Sequence, residues 1–150
     1  MQDTPLKLSA EDAEDLTVIA ACLQDAVTRM PDLAYQPKQR RFAAVFSRFK
    51  WEDQFGSTRR ARPKWWVRSG IHFDGVLSAR FRGLNQDSDQ ALELLTIEFE
   101  QGEDGSANIL LDFAGGGAIQ LDVECIDCHL TDLGRSWRGR RRPTHPSDER

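Results

Sequence analysis

The sequence predicts an α+β fold: one N-terminal amphipathic helix packed on a twisted antiparallel sheet of about six to eight strands. Three observations predict it. Leu16, Ile19, Ala20, Leu23, Val27 and Met30 recur at spacings of three and four, which puts them on one stripe of a helix. Residues 95–125 alternate apolar and polar with a period of two, the pattern of a strand with one wet face. Short glycine-bearing segments separate these alternating runs, as in a meander. Many short strands favour closing their edges, so the sheet is expected to curl into a partial barrel of pleckstrin-homology-like shape.

The elements follow in chain order. Leu6 to Leu8 predicts a short strand. Ser9 is placed to cap the helix, with Asp12 three residues on in the capping-box position. Glu11, Asp12, Glu14 and Asp15 put negative charge on the first turns, where the helix dipole favours it. The helix is expected over about residues 10–29 and ends at Pro31. Strands are then expected at Leu33 to Gln36, Phe42 to Phe49 and Trp65 to His72, with residues 50–63 as a loop. Asp74-Gly75 predicts a tight hairpin into Val76 to Arg82, with Leu77, Ala79 and Phe81 facing inward. Residues 83–90 are polar and loop-like.

The last third gives three strands. Leu95, Ile97 and Phe99 lie on one face, then Ile109, Leu111 and Phe113, then Ile119, Leu121, Val123 and Cys125. The turns are Gly102 to Ser106 and Gly115 to Gly117. The second has neither the Gly-Lys-Ser/Thr ending nor the following helix of a phosphate loop, so it reads as a hairpin. The expected domain spans residues 1–134. An Arg-rich C-terminal tail, 135–150, follows, with Trp137 docked back on the domain.

A chain of 150 residues is enough for one domain with a real core. The longest apolar stretch on the helix, Val18 to Leu23, is far short of the roughly 20 residues a membrane span needs. The N-terminus carries no apolar region after basic residues, so it does not read as a signal peptide, and the cytoplasm is the expected compartment. Three cysteines, Cys22, Cys125 and Cys128, argue for reduced thiols rather than a disulfide framework.

The net charge of −4 conceals segmentation. Residues 1–34 carry −5, residues 35–82 carry +9, residues 83–134 carry −12 without a single Lys or Arg, and residues 135–150 carry +4. Such asymmetry arises either from an anionic partner or from basic strands paired with acidic ones. The near-cancellation of the two central segments favours pairing.

Several segments resemble one bacterial family, catalogued as domain-of-unknown-function family 2948. They are Leu16 to Tyr35, Ile71-His72-Phe73-Asp74 to Val76, Phe113-Ala114-Gly115-Gly116-Gly117-Ala118-Ile119, Val123-Glu124-Cys125-Ile126, Leu130-Thr131-Asp132-Leu133-Gly134 and Arg141-Arg142-Pro143-Thr144-His145. The resemblance covers nearly the whole chain and implies a one-domain bacterial protein. It implies no activity and no functional residues.

Two constellations carry chemistry. Cys125-Ile126-Asp127-Cys128-His129 spells C-x-x-C-H, the form of a c-type haem attachment site. The absence of an export signal and the scarcity of methionine as an axial ligand oppose haem. Cys125, Cys128 and His129 are weak metal candidates, because structural zinc wants a second ligand pair. The expectation is no cofactor, with Cys125 a small core residue and Cys128 incidental. The second constellation interleaves cations with indoles: Arg59, Arg60, Arg62, Trp65 and Trp66 in one stretch, Trp137, Arg138, Arg140, Arg141 and Arg142 in another. Guanidinium groups neutralise phosphates and indoles stack on unpaired bases, so these are the anion and nucleic-acid candidates. The sequence pI of about 5.4 weighs against a dedicated nucleic-acid protein.

His72, His129 and His145 are scattered and no catalytic motif accompanies them. The first reading is therefore a small non-enzymatic binding or adaptor module with a protein partner, monomeric or homodimeric, and with no membrane. An RNA-contacting accessory protein is the second reading. A small-ligand binder or enzyme with its site inside the curled sheet is the third.

Overall fold

The computed structural model describes residues 5–54 and 64–139. The strands are β1 (Lys7–Ala10), β2 (Val27–Arg29), β3 (Leu33–Gln36), β4 (Arg41–Phe49), β5 (Trp65–Asp74), β6 (Val76–Arg82), β7 (Ala91–Gln101), β8 (Ala107–Phe113), β9 (Ala118–Val123) and β10 (Cys128–Arg138). Among the described residues one α-helix, α1 (Ala13–Cys22), joins β1 to β2. The strands form one antiparallel sheet in the order β1-β10-β5-β4-β2-β7-β8-β9-β6, with β3 also on β4. The sheet thus has ten strands, not six to eight. It is open rather than closed into a barrel, with β1 and β6 at its two ends.

The helix is shorter than its apolar stripe predicts. Ser9 and Ala10 belong to β1, paired with His129 and Cys128, so the cap falls on Asp12, whose Oδ1 accepts from the Asp15 amide at 2.9 Å. At the other end Asp25 adopts a left-handed φ of 65°. The Asp25 amide donates to the Leu94 carbonyl, and the Leu94 amide donates to the Ala26 carbonyl. Those two bonds draw Val27–Arg29 into the sheet as β2, between β4 and β7. Tertiary pairing overrides helical periodicity there.

Asp74-Gly75 does not make a hairpin. β5 pairs with β4 and β10, whereas β6 pairs with β9. Gly75, at φ 72°, is instead a corner between the two halves of the sheet. It is fixed by bonds from the Val76 amide to the Arg40 carbonyl and from the Glu124 amide to the Gly75 carbonyl. The β7–β8–β9 meander forms as expected. Bulges shift its neighbours, however: Leu95 is displaced between paired Leu94 and Thr96, and Leu77 between Val76 and Ser78. Leu94 consequently joins Ile97 in the core in place of Leu95, and Leu77 points to solvent, 52% exposed.

β10 is the largest element the periodicity missed. It lies between β1 and β5 and continues to Arg138, past Gly134 where the tail was expected to begin. Residues 140–150 lie outside the described residues. The core is built where the two halves face each other. Phe42, Phe46, Ile71, Phe73 and Leu130 come from one, and Ile109, Leu111, Phe113, Ile119 and Leu121 from the other, with Leu16 and Ile19 of α1 and Leu23 just after it joining them. Burying each such side chain fully is worth about 1.5–3 kcal/mol. No helix among the described residues is long and apolar enough to cross a membrane.

Candidate functional site: the outer face of β4, β5 and β10

Alternation places every second residue of β4, β5 and β10 away from the core. Phe42, Phe73 and Cys128 are inward partners, and so are Ala44, Ile71 and Leu130. The residues between them therefore face outward in cross-strand rows. Ala43, His72, His129 and Ser9 form one row; Val45, Gly70, Thr131 and Lys7 form the next. The small residues of these rows floor an open groove of about 490 Å³, bordered by Asp32, Gln36, Arg41, His72 and Leu133.

A histidine–carboxylate cluster occupies one end of this face. His72 and His129 are direct cross-strand neighbours, and their rings stack with centroids 4.8 Å apart. His129 Nε2 lies 2.8 Å from Asp127 Oδ1, and its Nδ1 lies 3.2 Å from Ser9 Oγ. His72 Nε2 lies 3.5 Å from Asp74 Oδ2. Arg41 Nε donates to Asp74 Oδ1 at 2.8 Å. The Asp74 amide donates to the Asp127 carbonyl at 2.9 Å, which ties the two carboxylate-bearing segments together. Burial and the Arg41 charge push the His72 imidazole below its ordinary value, outweighing the pull of Asp74. The hydrogen bond from Arg41 holds the Asp74 carboxyl below the usual carboxylate range. The cluster therefore presents a neutral imidazole beside an ionised carboxylate at neutral pH.

The opposite end of β5 and β10 carries the aromatic and basic residues. Trp137 is paired with Trp66, and Arg138 with Trp65. The Arg138 guanidinium carbon sits 5.9 Å from the Trp65 ring centre, within cation–π range. Trp66 packs edge-on against Phe49, which Trp51 also contacts. Trp137 remains 42% exposed. The Gly139 amide donates to the Lys64 carbonyl, so the two Arg-rich segments join the described chain at hydrogen-bonded neighbours. The sheet thus brings together Trp65, Trp66, Trp137 and Arg138, which the sequence presents as two separate stretches. Arg59, Arg60, Arg62, Arg140, Arg141 and Arg142 lie outside the described residues.

The charge segments meet in part. Arg40 pairs with Glu124, Arg80 with Asp122 and Arg48 with Asp132, each joining the basic segment to the acidic one. Arg48 is wholly buried. It makes two bonds to Asp132 and two to Glu52, and Ser69 Oγ completes its surroundings. Burial alone would raise the Asp132 and Glu52 carboxyls, but the hydrogen bonds from Arg48 outweigh it and hold both below their ordinary values. This cluster is saturated and inward-facing, which suits a structural role. By contrast, among the described residues Lys64, Arg68, Arg135 and Arg138 have no carboxylate partner.

The C-x-x-C-H segment does not converge. All three cysteines are unbonded. Cys125 is exposed and Cys128 is buried, the reverse of the expectation. β9 ends at Val123, so the alternation stops before Cys125, and Ile126 takes the core position instead. Burial pushes the Cys128 thiol well up, which makes it a poor metal ligand. His129 points to the opposite face and meets His72 rather than a thiol. Sequence reasoning missed His72, Asp74 and Asp127 as partners of His129. Only the alternation of β5 marked His72 as outward, and nothing local joins residues 57 positions apart.

Comparison with curated proteins and with solved structures found no match. A family model, described as protein of unknown function (DUF2948), matches residues 6–145, nearly the whole chain. The chain, with its open ten-stranded sheet, belongs to that family.

Proposed function

We propose that the protein is a small non-enzymatic binding module of the cytoplasm, and that the Trp/Arg end of β5 and β10 engages single-stranded RNA. The observation that supports this reading is the pairing of Trp66 with Trp137 and Trp65 with Arg138, beside cations without carboxylate partners. Indoles offer stacking platforms to any base, and unpaired guanidinium groups offer counter-charges to phosphates. Arg40, Arg41, Arg48 and Arg80 are already paired with Glu124, Asp74, Asp132 and Asp122, whereas Arg138 at this end has no carboxylate partner among the described residues.

Fluorescence anisotropy with a labelled oligouridylate tests it. Binding should weaken as salt rises. Trp137→Ala should cost about 1–3 kcal/mol, the usual worth of one stacked base. Deleting residues 140–150, beyond the last hydrogen bond of β10, should lower the salt dependence. A protein that shows no salt-sensitive binding at micromolar concentration would remove RNA from the reading.

A protein partner on the open edge strand β6 is the second reading. Exposed Leu77 on that edge favours it. A pull-down whose stoichiometric partner is lost with Leu77→Asp would support it over RNA.

A further inference from the structure

We propose that His72, His129 and Asp74 form a binding site for a divalent first-row transition-metal ion of the zinc type. One ring nitrogen of each histidine and one carboxylate oxygen of Asp74 all lie within 4.8 Å of one another. The two histidines are not adjacent by chance rotamers: β5 and β10 pair them directly, in a ladder that runs unbroken from Cys128 to Leu133. The site therefore stands on rigid strands, not on a loop.

The donor set identifies the ion class. Two imidazole nitrogens and one carboxylate oxygen suit zinc and its first-row neighbours, whereas magnesium and calcium prefer oxygen alone. Bonds of about 2.0–2.1 Å to a tetrahedral ion bring donors to roughly 3.3 Å apart, so the three side chains need only rotate inward by an ångström or so. Each is about one-third exposed, which leaves an open side for water as the remaining ligand.

The surroundings match what ligating side chains require. Metal-bound histidines usually have the second ring nitrogen, and bound carboxylates the second oxygen, held by a neighbour. Here Ser9 Oγ lies 3.2 Å from His129 Nδ1, and Arg41 holds Asp74 Oδ1 while its Nη2 lies 3.4 Å from Oδ2. Asp127 adds a second carboxylate 2.8 Å from His129 Nε2, and its charge offsets that of Arg41. The site lies at the far end of the face from the Trp/Arg residues and stands independently of RNA binding.

Titration of the full chain with zinc by calorimetry, and with cobalt followed by its visible spectrum, tests the site. The expected result is one equivalent bound, with affinity at least tenfold weaker in His72→Ala and in His129→Ala, and unchanged in Cys125→Ser. Thermal melting checks that the variants fold. The wild-type protein gives a second readout, since the chain has only three histidines, His72, His129 and His145. Two of the three histidine ring signals in its NMR spectrum, assigned with His145→Ala, should shift together on adding zinc. Unchanged affinity in both histidine variants, loss of binding in Cys125→Ser alone, or a shift confined to His145 would each overturn the proposal.

Discussion

The most constrained single residue is Arg48, a fully buried cation held by two carboxylates and a hydroxyl. Replacing it with Leu removes the counter-charge of buried Asp132, which then keeps only the neutral donors Ser69 Oγ and the Leu6 amide. Breaking a buried pair from one side costs about 3–5 kcal/mol, so Arg48→Leu should lower the urea midpoint accordingly. The same cluster sets the acid limit of the fold. Asp132 and Glu52 titrate below their ordinary values when folded. Their contribution is therefore complete above about pH 4, the range of unfolded carboxyls, and is lost as pH falls through the folded values. Stability measured from pH 7 down to pH 2 should fall steeply in the wild type, and the variant should show a shallower decline. Gly139 shows a different constraint: an added Cβ would run into the Trp66 indole, so any side chain there must displace the ring. None of this was readable from the sequence, because Arg48 occupies a position that looks like one more polar residue in an alternating strand.

At the scale of the element, α1 shows what periodicity can and cannot say. Its existence and its apolar face are local properties, and Leu16, Ile19 and Leu23 are buried as the stripe requires. Its ends are not local. Leu94 captures Asp25 and Ala26 by two backbone bonds, and β10 captures Ser9 and Ala10. The cap is consequently Asp12. Asp12→Ala should cost about 1 kcal/mol in chemical denaturation, while Ser9→Ala, which removes no cap, should cost less. The strands tell a similar story. The alternation in Ile109 to Phe113 and Ile119 to Val123 was legible and correct because the two strands pair with each other without a register shift. It failed at Leu77 and Leu95, where a bulge inserts one residue, so that Val76 and Leu94 take the core positions while Ala79, Phe81, Ile97 and Phe99 keep the expected face.

For the whole molecule, the decisive element is β10. It joins the N-terminus to β5, aligns His129 with His72, and places Trp137 against Trp66. Asp132 also ties it to Leu6, whose amide donates to Oδ2 and whose carbonyl accepts from the Asp132 amide. Deleting residues 1–9 should therefore uncover a long strand edge next to the buried ion cluster. The expected outcome is a lower melting temperature together with self-association in light scattering, since an unpaired edge is a template for another chain. A truncated protein that stays monomeric with unchanged melting would show that β1 contributes little.

The sequence by itself determined the α+β class, the single helix, the β7–β8–β9 meander and its glycine turns. Each depends on side-chain period or turn chemistry within a few residues. Only the tertiary structure decided the strand order, the corner at Gly75, the burial of Cys128 in place of Cys125, and the meeting of His72 with His129 and Trp66 with Trp137. Those outcomes depend on which distant strands share a ladder. That choice is made by burying the two halves of one core against each other, a condition that no local stretch of sequence contains.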